Sequence, residues 1–190
     1  MHAIMRTLVA TACLVVSFAA AALEIPKEKQ TKLGKYVDAR EAAAVVKAER
    51  DKVVFVDVRT RGELQFVGWT PEIDGTVAFV EMSQFGEWDD KAARYKLEPN
   101  PVFSDSVGAL LAKKGLGKDG KVLLMCRSGD RSARAVDALA GAGFTNVYSV
   151  IDGFEGDMSP DGRRSVNGWK NAGLPWTYKL DNAKGFQAPR

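Results

Sequence analysis

The sequence is poor in cysteine and histidine, with two cysteines and one histidine among its 190 residues. His2 and Cys13 both lie in an N-terminal apolar segment that we expect to be removed, which leaves Cys126 as the only cysteine and no histidine. These absences exclude Ser-His-Asp and Cys-His catalysis, zinc sites built from cysteine and histidine, and an internal disulfide. A lone cysteine in an exported protein is either buried and inert or kept for chemistry.

The sequence also has little net charge. Its 27 Lys and Arg residues and 24 Asp and Glu residues give a net charge of +3, and loss of Arg6 with the N-terminal segment lowers it by one, to +2. So small an excess does not predict binding to nucleic acid or to a membrane surface. The acidic residues after Asp152 lack the spacing of an EF-hand loop, and the sequence predicts no metal site and no cofactor.

The N-terminal segment has the pattern of a secretory signal peptide over residues 1–22. Arg6 precedes an apolar run from Leu8 to Ala22 that ends in small residues suited to cleavage after Ala20 to Ala22. The run is shorter than the roughly 20 residues of a membrane span. An uncleaved anchor and a lipoprotein signal at Cys13 are the alternatives, but the apolar run continues past Cys13. We therefore expect export, to a bacterial periplasm, without stable membrane insertion after cleavage.

The stretch from Lys121 to Phe144 combines a short strand, a polar loop and a helix. Val122 to Met125 form an apolar run typical of a buried strand, and the later apolar positions fall on one helix face. Cys126 lies at the junction, so the helix dipole and several loop amides can face its sulfur. Such surroundings stabilise a thiolate or a bound anion. The alternative is a structural cysteine at the end of a core strand.

The loop that follows Cys126 supplies the candidate substrate-binding residues. Gly129 permits a close backbone approach, and the arginines add positive charge, whereas Asp130 opposes an anionic substrate. The six residues of the loop are Arg127, Ser128, Gly129, Asp130, Arg131 and Ser132.

These residues carry a resemblance to a known family. Cys-Arg-Ser-Gly-Asp-Arg-Ser, after a strand and before a helix, resembles the active-site loop of the rhodanese family of sulfurtransferases. Val53 to Glu63 is similar to the family's first central strand, with its Asp-x-Arg signature at Asp57 and Arg59. Gly168 to Trp176 is similar to the family's C-terminal Gly-Trp and Gly-x-Pro elements.

The resemblance implies that Cys126 is catalytic and takes a sulfane sulfur as a persulfide within a cradle of loop amides. The donor would be thiosulfate or a related small sulfur-containing anion, and the acceptor cyanide or a thiol, with a sulfur-relay protein as a further partner. Asp57 and Arg59 would have a supporting role, in which Asp57 holds the active loop and Arg59 pairs with Glu63 four residues on.

The resemblance and the strand pattern predict an α/β fold, with an open, mainly parallel central sheet flanked by helices on both faces. Residues 36–178 are assigned to a single domain with insertions at about 81–104 and 154–167. Residues 23–35 are predicted to be a linker, and residues 179–190 a loose tail. A second strand is predicted over Gly75 to Val80. The aromatic first insertion either packs beside the active-site mouth or covers one flank of the core.

Two other functions compete with sulfur transfer by an enzyme. A phosphatase or arsenate reductase of this architecture needs Cys-x5-Arg, whereas here Arg131 follows Cys126 after four residues and Ser132 takes the place of the arginine. A loop of this length is sized for one extra sulfur atom, which favours sulfur over phosphorus. The second competitor is a sulfur carrier that turns over small donors poorly, and the loop sequence does not separate a carrier from an enzyme.

Overall fold

The structure, a computed structural model, describes residues 24–82 and 86–185. Within these ranges the chain forms a short 3-10 helix at Lys27–Lys29, nine strands and four α-helices. The helices are α1 (Ala39–Ala48), α2 (Arg61–Val67), α3 (Phe103–Lys113) and α4 (Asp130–Gly141). The strands are β1 (Tyr36–Val37), β2 (Val53–Asp57), β3 (Gly75–Thr76), β4 (Val80–Met82), β5 (Trp88–Asp89), β6 (Arg94–Tyr95), β7 (Leu97–Pro99), β8 (Lys121–Met125) and β9 (Val147–Val150).

Five of the strands form one parallel sheet in the order β1-β9-β8-β2-β3. Strands β2 and β8 lie side by side at its centre, with Asp57 paired with Met125. The carboxyl end of β2 is therefore next to the residue that precedes Cys126. In open parallel sheets this edge is the usual place for a ligand site, because the loops that follow the strands converge there.

The central strands are buried on both faces, which explains their nearly continuous apolar sequence. Val54 and Val56 of β2 pack with α3 and α4 in one core, while Val53 and Phe55 pack with α1 and α2 in another. Because side chains alternate along a strand, a single strand contributes to both cores. The predicted α/β fold, a parallel central sheet with helices on both faces, is thus confirmed.

Helices α1 and α2 begin at reciprocal capping boxes. Asp38 accepts a hydrogen bond from the amide of Glu41 at the start of α1, and Thr60 does the same for Glu63 at the start of α2. In each pair the glutamate side chain reaches back to the cap amide, which satisfies two backbone donors that the helix leaves unpaired. The second box fixes the position of Glu63, whose carboxylate accepts from Arg131 in the loop that follows Cys126.

The predicted strand over Gly75 to Val80 is wrong as a single element. Only Gly75–Thr76 pairs with the central sheet, whereas Val80–Met82 turns away and pairs antiparallel with Leu97–Pro99. A second antiparallel pair joins Trp88–Asp89 to Arg94–Tyr95. The first insertion is therefore built from two small antiparallel pairs beside the main sheet.

The described parts of the segments on either side of the predicted domain, residues 24–35 and 179–185, contact that domain, in contrast to the loose linker and tail that their polarity predicts. Lys29 is buried, and the amide of Lys32 donates to Asp137 of α4. In the C-terminal segment, the Lys179 carbonyl accepts from the Trp69 indole and the Lys184 carbonyl accepts from the Thr76 amide. Backbone hydrogen bonds and buried contacts, which composition does not reveal, hold both segments in place.

The predicted signal peptide, residues 1–22, lies outside the described residues. Within the part of the chain that the structure describes, no helix is both long and apolar enough to cross a membrane.

Candidate active site

Cys126 lies between the end of β8 and the first turn of α4, with its sulfur enclosed by the loop. The Gly129 amide donates a hydrogen bond to Sγ at 3.2 Å, and the Cys126 amide donates to Oγ of Ser132 at 2.8 Å. Cys126 is fully buried. The positive end of the α4 dipole and a loop amide therefore both face the sulfur, an arrangement that favours negative charge on it.

The shape of the loop depends on two glycines that have no room for a side chain. Gly129 has φ of 106°, and a Cβ built there would lie 2.1 Å from the Ile151 carbonyl oxygen. Gly153 has φ of 63°, and its Cβ would lie 2.5 Å from the carbonyl carbon of Arg127. The segment after β9 thus presses directly against the back of the active-site loop, which fixes the direction of its amides.

A buried ion pair joins the loop to α2. The Arg131 guanidinium donates to both oxygens of the Glu63 carboxylate, with Nη1 at 2.7 Å from Oε2. Burial works to raise the pKa of Glu63, but the hydrogen bond and charge of Arg131 outweigh it and lower that pKa from 4.5 to about 2. Burial likewise works to lower the pKa of Arg131, and Glu63 raises it above its ordinary value, aided by the charges of Cys126 and Asp130.

The predicted pair between Arg59 and Glu63 is therefore wrong, because Glu63 turns toward the loop. Arg59 instead donates to Asp57 through its backbone amide, Nε and Nη2, with Nη2 at 2.7 Å from Oδ2. Both side chains are fully buried. The guanidinium carbon of Arg59 also stacks 3.9 Å from the ring centroid of Phe154, whose amide donates to the Cys126 carbonyl at 2.8 Å. Asp57 and Arg59 thus reach the loop through Phe154.

Lys29, in the segment predicted to be a linker, also contacts the loop. Its Cδ would lie 3.1 Å from a Cβ at Gly129, and its Nζ donates to Asp157 at 2.7 Å. The N-terminal segment and the second insertion are therefore joined across the back of the active-site loop.

The remaining loop residues lie toward the outside. Arg127 is exposed and Asp130 is partly exposed, whereas Ser128 is buried and donates from Oγ to the Asp130 carboxylate at 3.2 Å. A cavity of about 240 Å³ lies beside them. It is lined from the loop and α4 by Arg127, Asp130, Arg131 and Arg134, and from the first insertion by Arg94, Tyr95 and Leu97. Of the two positions predicted for the first insertion, the structure therefore places Arg94 to Leu97 beside the mouth of the site.

The family model of the rhodanese-like domain matches residues 38–159. The chain belongs to the rhodanese-like domain family. This match includes the Asp57 strand and the whole Cys126 loop, so the resemblance first recognised in the motifs extends over most of the described fold.

The relatives of this rhodanese-like chain include two curated proteins and a solved structure. It is 32% identical over 123 residues to "Uncharacterized protein RP600" of Rickettsia prowazekii (strain Madrid E), covering 65% of this chain and 81% of that protein. It is 30% identical over 130 residues to "Uncharacterized protein RC0915" of Rickettsia conorii (strain ATCC VR-613 / Malish 7), covering 67% and 85%. The crystal structure of Rv0390 from M. tuberculosis superposes with a TM-score of 0.56 and 27% identity, over 76% of this chain and 98% of that one.

Sequence reasoning missed two contributors to the site, the contact of Glu63 with Arg131 and the contact of Lys29 with the loop, and it left the position of the Arg94–Leu97 segment open between two alternatives. The Thr60-x-x-Glu63 capping box is visible in the sequence and could have placed Glu63 at a helix start. The ion pair of Glu63 with Arg131, however, joins two helices that are distant in sequence. Lys29 and Arg94 lie far from the loop in sequence, and no local pattern marks them. Within residues 24–82 and 86–185, no group of His, Cys, Asp and Glu side chains is arranged to hold a metal ion.

The tight contact behind the loop leads to a first prediction. Gly129→Ala should destabilise the fold by several kcal/mol and disorder the sulfur cradle, because the new Cβ meets the Ile151 carbonyl and the φ of 106° is strained for alanine. Gly141→Ala, in the last turn of the same helix with nothing within 4 Å of its Cβ, should instead be neutral or stabilise by about 0.5–1 kcal/mol. Urea unfolding measures the free energy of unfolding of the two variants. Equal values would contradict the tight packing of Gly129 against the Ile151 carbonyl.

Proposed function

We propose that this protein is a sulfurtransferase of the rhodanese type, which moves a sulfane sulfur from an anionic donor such as thiosulfate to cyanide or a thiol. The observation that carries this proposal is the Gly129 amide directed at Cys126 Sγ, at the N-terminus of α4. Such a cradle stabilises a negative charge on the sulfur without a histidine. Membership of the rhodanese-like family supports a function related to sulfur transfer.

The proposed reaction has two steps, each an attack on sulfur. In the first, the Cys126 thiolate attacks the outer sulfur of thiosulfate, the S–S bond of the donor breaks, and sulfite leaves with the electron pair. Cys126 then holds the transferred sulfur as a persulfide anion, stabilised by the loop amides. In the second, cyanide or a thiolate attacks that outer sulfur, and the Cys126 thiolate leaves, ready for another cycle.

The environment of Arg131 favours sulfur over phosphorus chemistry. A phosphatase or arsenate reductase needs an arginine free to clamp a tetrahedral oxyanion. Here both terminal nitrogens of Arg131 are engaged by Glu63, and Ser132 accepts from the Cys126 amide. Arg131 is thus already paired with a carboxylate, and the position that a Cys-x5-Arg loop needs for its arginine holds Ser132.

The complete burial of Cys126 favours a second candidate, a sulfur carrier that is loaded by a partner protein. A carrier of this kind would accept sulfur from a protein persulfide whose docking opens the loop, and it would react slowly with free thiosulfate. The two candidates share the Cys126 persulfide and differ in how it is formed.

Mass spectrometry of the full chain carrying Cys13→Ser tests the proposal, because Cys126 is then the only cysteine. After incubation with thiosulfate, we expect a gain of one sulfur atom on the peptide that contains Cys126, and stoichiometric thiocyanate on addition of cyanide. Initial rates should show ping-pong kinetics. An adduct formed only from a protein persulfide would favour the carrier. No adduct from either donor, together with a thiol that resists alkylation, would contradict both candidates.

Asp130 gives a further prediction about the donor. Asp130→Asn should raise kcat/KM for thiosulfate about two- to fivefold, because the Asp130 carboxylate lines the cavity beside the loop and repels a dianion. The gain should shrink as ionic strength rises. Asp51→Asn, an exposed carboxylate that precedes β2 at the far end of the sheet, provides the matched control and should leave kcat/KM unchanged. A lower kcat/KM in Asp130→Asn would show that Asp130 assists the reaction instead.

We also propose that the protein acts outside the cytoplasm, in a bacterial periplasm, after cleavage following Ala20 to Ala22. The support is the N-terminal sequence pattern. The intact mass of protein recovered from the periplasm after expression in a bacterial host tests this. Retention of residues 1–22 in a membrane fraction would contradict it.

A further inference from the structure

The cavity of about 240 Å³ beside the active-site loop carries an excess of positive charge. Of its four arginines, Arg131 is neutralised by Glu63. The other three are Arg94, Arg127 and Arg134, which are exposed and form no ion pair within the described residues. Glu63 and Asp130 are the two acids of the lining, so Asp130 offsets one of these three arginines. A ligand with two negative charges would therefore balance the cavity.

The size and walls of the cavity indicate an organic ligand. Its volume of about 240 Å³ is larger than the five heavy atoms of thiosulfate need. Tyr95 and Leu97 add an aromatic ring and an aliphatic side chain to the wall, which suit a carbon skeleton.

The arginines are also placed to fix two carboxylates separately. Arg127 and Arg134 come from the loop and α4, whereas Arg94 comes from β6 of the first insertion. Guanidinium groups bind carboxylates in a bidentate way, so two groups carried by different elements of the lining can orient a dicarboxylate. Arg127 directly follows Cys126 in the chain, so a ligand held there lies beside the loop that carries the sulfur.

We propose that this cavity binds the physiological sulfur acceptor, and that the acceptor is a small organic thiol with two carboxylates. The proposal rests on the proposed function. In the transfer, the acceptor thiolate attacks the outer sulfur of the Cys126 persulfide, a new S–S bond forms, and the bond to Sγ breaks. Cys126 leaves as the thiolate, and the acceptor departs as an organic persulfide, with no external oxidant or reductant. Arg94 is then a specificity-determining residue contributed by the insertion.

Acceptors of graded charge test this proposal through steady-state kinetics with saturating thiosulfate. The series is mercaptosuccinate with two carboxylates, 3-mercaptopropionate with one and 2-mercaptoethanol with none. Because the intrinsic reactivities of these thiols differ, each variant is compared with the unsubstituted protein for the same acceptor. Arg94→Gln should lower kcat/KM about three- to tenfold for mercaptosuccinate, mainly through KM, less for 3-mercaptopropionate, and not for 2-mercaptoethanol or cyanide.

Arg40→Gln is the matched control, since Arg40 is exposed on α1 and outside the cavity lining. This variant should leave kcat/KM unchanged for all three thiols and for cyanide. Arg94→Glu should reverse the charge preference, so that the ratio of kcat/KM for cysteamine, a cationic thiol, to kcat/KM for mercaptosuccinate rises. Equal factors for charged and neutral acceptors in Arg94→Gln would overturn the proposal while leaving sulfur transfer to cyanide intact.

Binding of 2-(methylthio)succinate, whose thiol is capped, separates the cavity from the chemistry. Titration calorimetry should show it binding the unsubstituted protein more tightly than Arg94→Gln, by about three- to tenfold. This readout does not depend on turnover. Binding without any persulfide on Cys126 would support the dicarboxylate site and contradict the proposed function, and equal affinity in the two proteins would overturn the site.

Discussion

Cys126→Ser is expected to abolish persulfide formation and to lower thiocyanate production by about four orders of magnitude or more. A serine hydroxyl in the same cradle lacks the nucleophilicity of a thiolate toward sulfur. The fold should survive, because the Gly129 amide that donates to Sγ can donate to a hydroxyl in the same place. We expect the free energy of unfolding to change by no more than about 1–2 kcal/mol.

The other cysteine of the chain provides the control for this substitution. Cys13→Ser should retain full thiocyanate production, because Cys13 lies in the predicted signal peptide. Intact-mass spectra of the two variants after thiosulfate treatment measure the difference directly. Persistence of the added sulfur in Cys126→Ser, or its loss in Cys13→Ser, would show that Cys126 is not the residue that holds the persulfide.

Glu63→Gln should strongly lower the free energy of unfolding. It leaves the Arg131 guanidinium, whose side chain is only 10% exposed, without its charged partner. Breaking a buried pair from one side costs about 3–5 kcal/mol, because the remaining charge stays desolvated. Sulfur transfer should fall as well, since Arg131 lies in the loop that surrounds Cys126. Urea unfolding and thiocyanate assays measure the two effects.

The same pair predicts how stability depends on pH. The pKa of Glu63 is lowered to about 2 in the folded protein, so the unfolded chain binds a proton more readily than the folded one. The stabilisation is therefore complete above the ordinary pKa of 4.5 and is lost as the pH falls from there toward 2. It amounts to about 3 kcal/mol. In Glu63→Gln this component of the acid sensitivity should disappear.

Glu49→Gln is a matched control for Glu63→Gln, because Glu49 pairs with Lys121 at 2.7 Å but its side chain is 36% exposed. We expect a loss below about 1 kcal/mol for this solvated pair. A double-mutant cycle of Glu63→Gln with Arg131→Gln then isolates the coupling between the two buried partners. A coupling close to zero would contradict the argument for the ion pair.

The sequence by itself determined the α/β class and the position of the candidate nucleophile. Those features are local: the apolar run of β8, the glycine in the following loop and the apolar face of α4 all lie within Lys121 to Phe144. Hydrophobic periodicity and turn chemistry act over a few residues, so they can be read without knowing the rest of the fold.

Tertiary structure alone decided what surrounds the loop. Glu63 has a possible partner four residues before it in Arg59 and another in Arg131, and its choice of Arg131 depends on how α2 and α4 pack against the sheet. The burial of Lys29 against Gly129 depends in the same way on packing between elements distant in sequence.

The first insertion shows most clearly which features follow from local sequence and which depend on long-range packing. Its aromatic content predicted an ordered segment, but its location could not be derived, because Val80–Met82 could extend the central sheet or leave it. The structure shows that the strand leaves and that Arg94 and Tyr95 return beside the Cys126 loop. Long-range packing and charge complementarity set this placement, and neither leaves a periodic signal in the chain. The sequence therefore determined which residue is the candidate nucleophile, and the tertiary structure decided which charges surround it.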